Sequence, residues 1–172
     1  MGGRASPGNA CGILCARLAA IMEAKVLRGS CLCGGVRFEV AGPFPRLYQC
    51  HCSLCRKQGG SVSNTGLIVA ADKFRWLAGE GSIGKWQRAT GFRSWFCERC
   101  GSTVPNPLRE TGYAWVPAGL LDDDDQLQIG AQLHLASKMS GDQPRRDGMQ
   151  HATAPPLEEL IAFLHGGVCR AQ

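Results

Sequence analysis

Cysteine is the residue type in this sequence whose number and spacing could do chemistry. The chain has ten cysteines among 172 residues, and seven of them lie in three short motifs. The motifs are C-x-C at Cys31 and Cys33, C-x-C-x-x-C at Cys50, Cys52 and Cys55, and C-x-x-C at Cys97 and Cys100. Two thiolates so close in sequence can bind one ion, because a tight turn brings their sulfurs to one edge of the tetrahedron that zinc prefers. Disulfide frameworks usually space their cysteines more evenly, so the pattern predicts metal binding.

The seven clustered cysteines divide into a group of four and a group of three. Four thiolates close a tetrahedron and form a structural zinc site, whereas three leave one position for water or substrate, as in a catalytic zinc site. Cys50, Cys52 and Cys55 are close enough in sequence to hold one ion by themselves. The C-x-C and C-x-x-C pairs would then share a second ion and staple the β core. We therefore expect two zinc ions per chain, although the spacing leaves swapped pairings open.

The fourth ligand of the three-cysteine group is not decided by the sequence. The candidates are His51, His134, His151 and His165. His51 stands between two ligands, so its side chain tends to point away from the ion they share. A histidine ligand would favour an alternative function, a non-catalytic zinc-binding module that binds a protein partner. A redox role for the C-x-x-C motif is less favoured, because the βαβ context of thioredoxin is missing.

Alternating hydrophobic residues predict strands around these motifs. Val36, Phe38 and Val40 alternate with Arg37 and Glu39, which is typical of a strand with one buried face. Further strands are predicted within residues 63–69, 70–77, 85–90, 92–97, 113–116 and 128–136. Residues 155–165 predict a short amphipathic helix near the C-terminus. The fold class is therefore mainly β with a short C-terminal helix.

Three segments make the sequence recognisable. They are residues 29–38 (GSCLCGGVRF), residues 50–57 (CHCSLCRK) with Gly59 and Gly60 following, and residues 96–102 (FCERCGS). Together they resemble the glutathione-dependent formaldehyde-activating enzyme family, also called the CENP-V/GFA domain family, over about residues 25–140. The resemblance implies a β-tent of packed antiparallel sheets. It also implies that Cys31, Cys33, Cys97 and Cys100 bind a structural zinc and that Cys50, Cys52 and Cys55 bind a catalytic zinc.

The resemblance also implies an activity. It is that of a zinc-dependent carbon-sulfur lyase-type enzyme acting on glutathione or a related thiol adduct, by formation or cleavage of S-hydroxymethylglutathione. Arg56 and Lys57, directly after the second motif, are the candidate contacts for a glutathione carboxylate. Residues 137–146 depart from the longer aromatic stretch that family members often carry, so no substrate contact is carried over from there.

Composition and charge exclude several other classes. The net charge of +5 is scattered along the chain, which argues against a nucleic-acid partner. No apolar run approaches the roughly 20 residues of a membrane-spanning helix. Metal-binding thiolates indicate a reducing compartment, so we expect a cytoplasmic protein without a membrane partner. The oligomeric state is not predicted.

The sequence suggests three regions. Residues 1–21 are rich in glycine and alanine and contain no acidic residue. We expect a disordered leader over residues 1–24, with Met22 as an alternative start. The zinc domain is predicted at residues 25–140, and a C-terminal extension with the short helix at residues 141–172.

Overall fold

The computed structural model describes residues 25–123 and 127–166, so the leader predicted at residues 1–24 lies outside the described residues. The described chain is mainly β, with two α-helices, which confirms the predicted fold class. The helices are α1 (Ser53–Gly59) and α2 (Leu157–Leu164). Neither is long and apolar enough to cross a membrane.

The strands form three sheets. The first sheet is antiparallel and contains, in spatial order, β1 (Val26–Ser30), β2 (Arg37–Ala41) and β5 (Phe74–Ala78). The second sheet contains β12 (Met149–Gln150), β11 (Ile129–Leu133), β3 (Leu47–Cys50), β4 (Asn64–Ala70), β10 (Tyr113–Pro117) and β9 (Asn106–Pro107). It is mixed, because β11 runs parallel to both of its neighbours. The third sheet is antiparallel and contains β6 (Ile83–Gln87), β7 (Arg93–Cys97) and β8 (Thr103–Val104).

The main core lies between the first sheet and one face of the second. The alternation predicted in β2 buries Phe38 and Val40 completely. These side chains pack with Leu67 and Val116 of the second sheet, which are also fully buried. Side chains on a strand alternate between faces, so this face uses every second residue of β4 and β10.

The opposite face of the second sheet carries a different set of side chains. Cys50 of β3 and Ile68 of β4 point to this face, where α2 covers them with Leu160 and Leu164. Both leucines are buried, at 5% and 1% exposure. The helix predicted in the C-terminal extension therefore packs into a second core beside one of the cysteine motifs.

The predicted hairpin before Cys97 is present, with shorter strands and a wider loop than the alternation indicated. β6 ends at Gln87 and β7 begins at Arg93, and the loop between them closes through the Arg88 N–H donating to the Phe92 carbonyl at 2.8 Å. The strand predicted to extend to residue 136 ends at Leu133, because His134 has a left-handed backbone with φ of 59°. A β-strand cannot continue through that conformation.

The packing of α2 generates a stability prediction. Leu164→Ala should lower the free energy of unfolding by about 2–5 kcal/mol, because it leaves a cavity in the second core. Leu77→Ala on β5 is the control, since Leu77 is 42% exposed and should cost much less. Urea unfolding of the full chain followed by circular dichroism measures both. Equal, small effects would mean that α2 lies outside the cooperative core.

Candidate metal centres and cavity

Four cysteines from two separate turns meet in the first group. Cys31 follows β1 and Cys33 lies in the turn before β2, while Cys97 ends β7 and Cys100 lies in the turn before β8. All four Sγ atoms lie within 4.8 Å of one another. The Sγ atoms of Cys31 and Cys33 are 3.5 Å apart, and those of Cys33 and Cys97 are 3.9 Å apart. Sulfurs on a tetrahedral zinc are about 3.8 Å apart for Zn–S near 2.3 Å, so this group fits the ion.

Backbone and hydroxyl groups hold the first group in place. The Val36 N–H donates to Sγ of Cys31 at 3.2 Å, and the Leu32 N–H donates to the Ser102 hydroxyl at 3.0 Å. Hydrogen bonds from Ser102 lower the pKa of Cys100 to about 5. Cys31 and Cys97 are buried in a third, smaller core that also contains Val36 and Val104. The group is therefore part of the framework of the protein.

The second group is formed by a strand end and the start of α1. Cys50 ends β3, Cys52 is the N-cap of α1, and Cys55 lies in its first turn. The Cys55 N–H donates to Sγ of Cys52 at 3.5 Å, and all three Sγ atoms lie within 4.8 Å of one another. Among the described residues, no histidine or carboxylate joins this group. All seven cysteines of the two groups are free thiols, so both groups can hold a metal ion.

His51 points away from the second group, as the sequence indicated. Its Nδ1 lies 2.6 Å from a carboxylate oxygen of Asp142, and its Nε2 lies 2.8 Å from the side-chain oxygen of Gln132. The ring is fully buried. His165 is also engaged elsewhere, because its Nε2 lies 3.0 Å from the Ile68 carbonyl. The imidazole groups of these two residues are thus occupied by other contacts.

A cavity of about 410 Å³ opens directly on the second group. Its floor is the α2-side face of the second sheet, with Tyr48, Ile68 and Trp115 beside Cys50. Leu54 of α1 and Leu157 and Leu160 of α2 add apolar side chains to the lining. The polar side chains in the lining include Ser53, Gln58, Asn64, Arg93, Asn106, Arg109 and His134. The three thiols therefore face a partly open cavity that also has polar side chains in its lining.

The crowded sulfurs of the second group cannot all ionise without a cation. Hydrogen bonding to Cys52 raises the pKa of Cys50 to about 11. The Cys55 thiol donates to Cys50 and Cys52, which holds the pKa of Cys55 well above its ordinary value. Cys52 accepts hydrogen bonds from both neighbours, and these lower its pKa. Two of the three thiols thus keep their protons until a positive ion displaces them.

Tyr48 lies beside these sulfurs and remains a neutral phenol. Removal from water raises its pKa well above the ordinary value, and the neighbouring cysteine sulfurs raise it further whenever they carry negative charge. A neutral phenol can donate a hydrogen bond to an oxygen atom in the cavity.

The family model for the glutathione-dependent formaldehyde-activating enzyme matches residues 26–137, which is more than half of the chain. The chain belongs to this family. A Halomonas elongata protein, provisionally named a glutathione-dependent formaldehyde-activating enzyme, is 53% identical over 36 residues. That stretch covers 20% of this chain and 23% of the Halomonas protein. A crystal structure of a Rhodobacter sphaeroides protein is similar with a TM-score of 0.47 and 21% identity, covering 72% of this chain and 98% of that one.

In this member of the glutathione-dependent formaldehyde-activating enzyme family, Arg56 and Lys57 do not line the cysteine cavity. They lie on the other side of α1, along a shallow concavity of about 540 Å³ shared with Val62 and Met139. Successive residues of an α-helix point about 100° apart, so adjacency to Cys55 turns these side chains away from it. The structure therefore does not bring the two predicted glutathione contacts to the three cysteines.

Several residues of the cavity were not found by sequence reasoning. Tyr48, Asn106 and Arg109 gave no local signal, because they reach the site through the pairing of β3, β4, β10 and β9. The side-chain nitrogen of Asn106 is buried without a hydrogen-bond partner among the described residues. His134, considered from sequence as a fourth ligand, lines the cavity without joining the sulfur group.

The proton count of the second group predicts how metal affinity depends on pH. Binding of Zn²⁺ to this group should release about two protons, from Cys50 and Cys55, so the affinity should rise about a hundredfold per pH unit from pH 6 to 8. Competition with a chromogenic chelator measures the affinity, and calorimetry in buffers of different ionisation enthalpy counts the protons. Cys55→Ser, which retains the first group, provides the blank. A pH-independent affinity at the second group would contradict this assignment.

Proposed function

We propose that this chain is a zinc-dependent enzyme of the carbon-sulfur lyase type that acts on glutathione or a related thiol adduct. The observation that carries the proposal is the contrast between the two cysteine groups. The four-cysteine group lies in a core cluster, whereas the three-cysteine group faces a cavity large enough for a small molecule. Family membership supports glutathione as the thiol. Thiol ligands persist in reducing surroundings, so we place the protein in the cytoplasm.

The two groups are assigned different roles. Cys31, Cys33, Cys97 and Cys100 would hold a structural zinc, and Cys50, Cys52 and Cys55 would hold a catalytic zinc with one open position. When bound at the second group, zinc supplies a Lewis acid that favours the thiolate form of an incoming thiol. Three thiolates around a divalent ion leave a net charge of about −1, so the site suits thiol activation better than ionisation of water at neutral pH.

The reaction proposed is addition of the glutathione sulfur to formaldehyde, or its reverse. The thiol loses its proton, and the sulfur lone pair forms a C–S bond to the carbonyl carbon. The C=O π bond breaks, its electron pair moves to the oxygen, and that oxygen accepts a proton. The product is S-hydroxymethylglutathione. The phenol of Tyr48, beside Cys50, can donate a hydrogen bond to that oxygen as negative charge develops on it. The apolar side chains of Ile68 in the floor and Leu160 of α2 limit the access of water to the adduct.

Cobalt substitution tests whether the second group accepts an external thiol. The full chain is loaded with two Co²⁺ ions, and its visible absorption is recorded while glutathione is added. We expect a saturable change that is lost in Cys55→Ser. No change with two ions bound would overturn the enzyme proposal. It would favour the alternative of a non-catalytic zinc module that binds a protein partner.

The assigned roles also predict how two ligand substitutions differ. Cys55→Ser should retain the fold and lower the glutathione-dependent exchange of ¹³C-formaldehyde, measured by NMR, by about a hundredfold or more. Cys100→Ser should instead lower the melting temperature by roughly 10 °C, because it breaks a site that holds the framework together. The catalytic assignment is wrong if Cys55→Ser remains fully active.

A further inference from the structure

We propose that Arg109 binds a carboxylate of the thiol substrate in the cysteine cavity and thereby selects anionic thiols. This inference rests on the proposed function, because it names the group that would recognise the substrate at the same site. Two arginines line the cavity, Arg93 and Arg109. Among the residues that the structure describes, Arg93 is held by contacts within the protein, whereas Arg109 is not.

Arg93 is fully engaged by the protein. Its guanidinium forms an ion pair with Glu110, and its Nε donates to the side-chain oxygen of Gln87 at 3.1 Å. Its Nη1 donates to the carbonyl of Arg109 at 2.7 Å. Arg93 therefore neutralises the carboxylate nearest to Arg109 in sequence and fixes the backbone of the loop that carries Arg109.

Arg109 is exposed where it lines the cavity, and within residues 25–123 and 127–166 its side chain makes no hydrogen bond and no ion pair. A Cβ placed on Gly91 would lie 3.7 Å from Cγ of Arg109, so the aliphatic stem passes over that glycine, which also lines the cavity. The guanidinium is left with its donors available. Guanidinium donors match a carboxylate with two parallel hydrogen bonds.

The backbone of Arg109 is held in a conformation that most residues avoid. Its φ is 50°, and among the described residues only one other non-glycine residue, His134, has a positive φ. Both residues line the cysteine cavity. The turn is held by the hydrogen bond from Arg93 and by the Leu108 N–H, which donates to the Tyr113 carbonyl at 2.8 Å. Strained residues of this kind concentrate where a side chain must be presented to a ligand.

The cavity fits a substrate that carries both a thiol and a carboxylate. The three-cysteine group provides a place for a sulfur, and Arg109 provides a cation elsewhere in the same cavity. Glutathione has its thiol in the middle of the molecule and a carboxylate at each end. The carboxylate contact first predicted for Arg56 and Lys57, which face away from the cavity, is thus assigned to Arg109.

The test compares glutathione with its dimethyl ester, which keeps the thiol and loses both carboxylates. Binding of each to the cobalt-loaded full chain is measured by absorption and by calorimetry. The wild-type protein should bind glutathione about tenfold more tightly than the ester, which is typical of one charge-assisted contact. Arg109→Gln should lose this preference, and Arg109→Lys should restore part of it. Arg28→Gln, on the exposed side of β1, removes the same charge and should keep the full preference.

Each outcome decides a different point. A preference retained in Arg109→Gln, or absent from the wild-type protein, overturns the role of Arg109 while leaving the thiol site intact. If neither ligand changes the cobalt spectrum of the wild-type protein, the proposed function fails and this inference fails with it. Arg109→Asn provides the same comparison if Arg109→Gln does not fold, because asparagine tolerates the left-handed backbone.

Discussion

Sulfur atoms held within 4.8 Å of one another repel as they ionise, and the two cysteine groups are built around this constraint. A cation at the centre of each group would convert the repulsion into attraction, which couples metal binding to folding. The four-cysteine group joins the turn between β1 and β2 to the turn between β7 and β8, so it connects the first sheet to the third. The three-cysteine group instead connects a strand of the second sheet to α1.

The two faces of the second sheet have different surroundings. One face supplies Leu67 and Val116 to the main core. The other presents Cys50 and Tyr48 to the cavity, and α2 closes over its remaining apolar side chains. Because neighbouring positions on a strand point in opposite directions, the same short strand contributes side chains to both the main core and the cavity. The cavity therefore has a rigid floor that the main core supports from behind.

Local patterns in the sequence were sufficient for several strands and for the two cysteine groups, but β3, which carries Tyr48 and Cys50, was not among the predicted strands. Phe38 and Val40 alternate with charged residues, and this alternation of apolar and polar residues indicates a β-strand with one buried face. The seven cysteines divide as four and three because short motifs restrict which sulfurs can share an ion. The strand ends were less predictable, since the positive φ of His134 is imposed by its surroundings and not by its residue type.

The sequence by itself determined the fold class, the family and the two groups of thiols, because all three depend on residue types at fixed short spacings. Only the tertiary structure decided what surrounds the three-cysteine group. Arg56 follows Cys55 directly yet faces away from it, since a helix turns neighbouring residues about 100° apart. Arg109 is 54 positions from Cys55 yet lines the same cavity, because the pairing of β10 with β4 and β9 carries its loop there. Which residues are neighbours across a sheet depends on the order of the strands, and the local spacing of residues in the sequence does not specify that order.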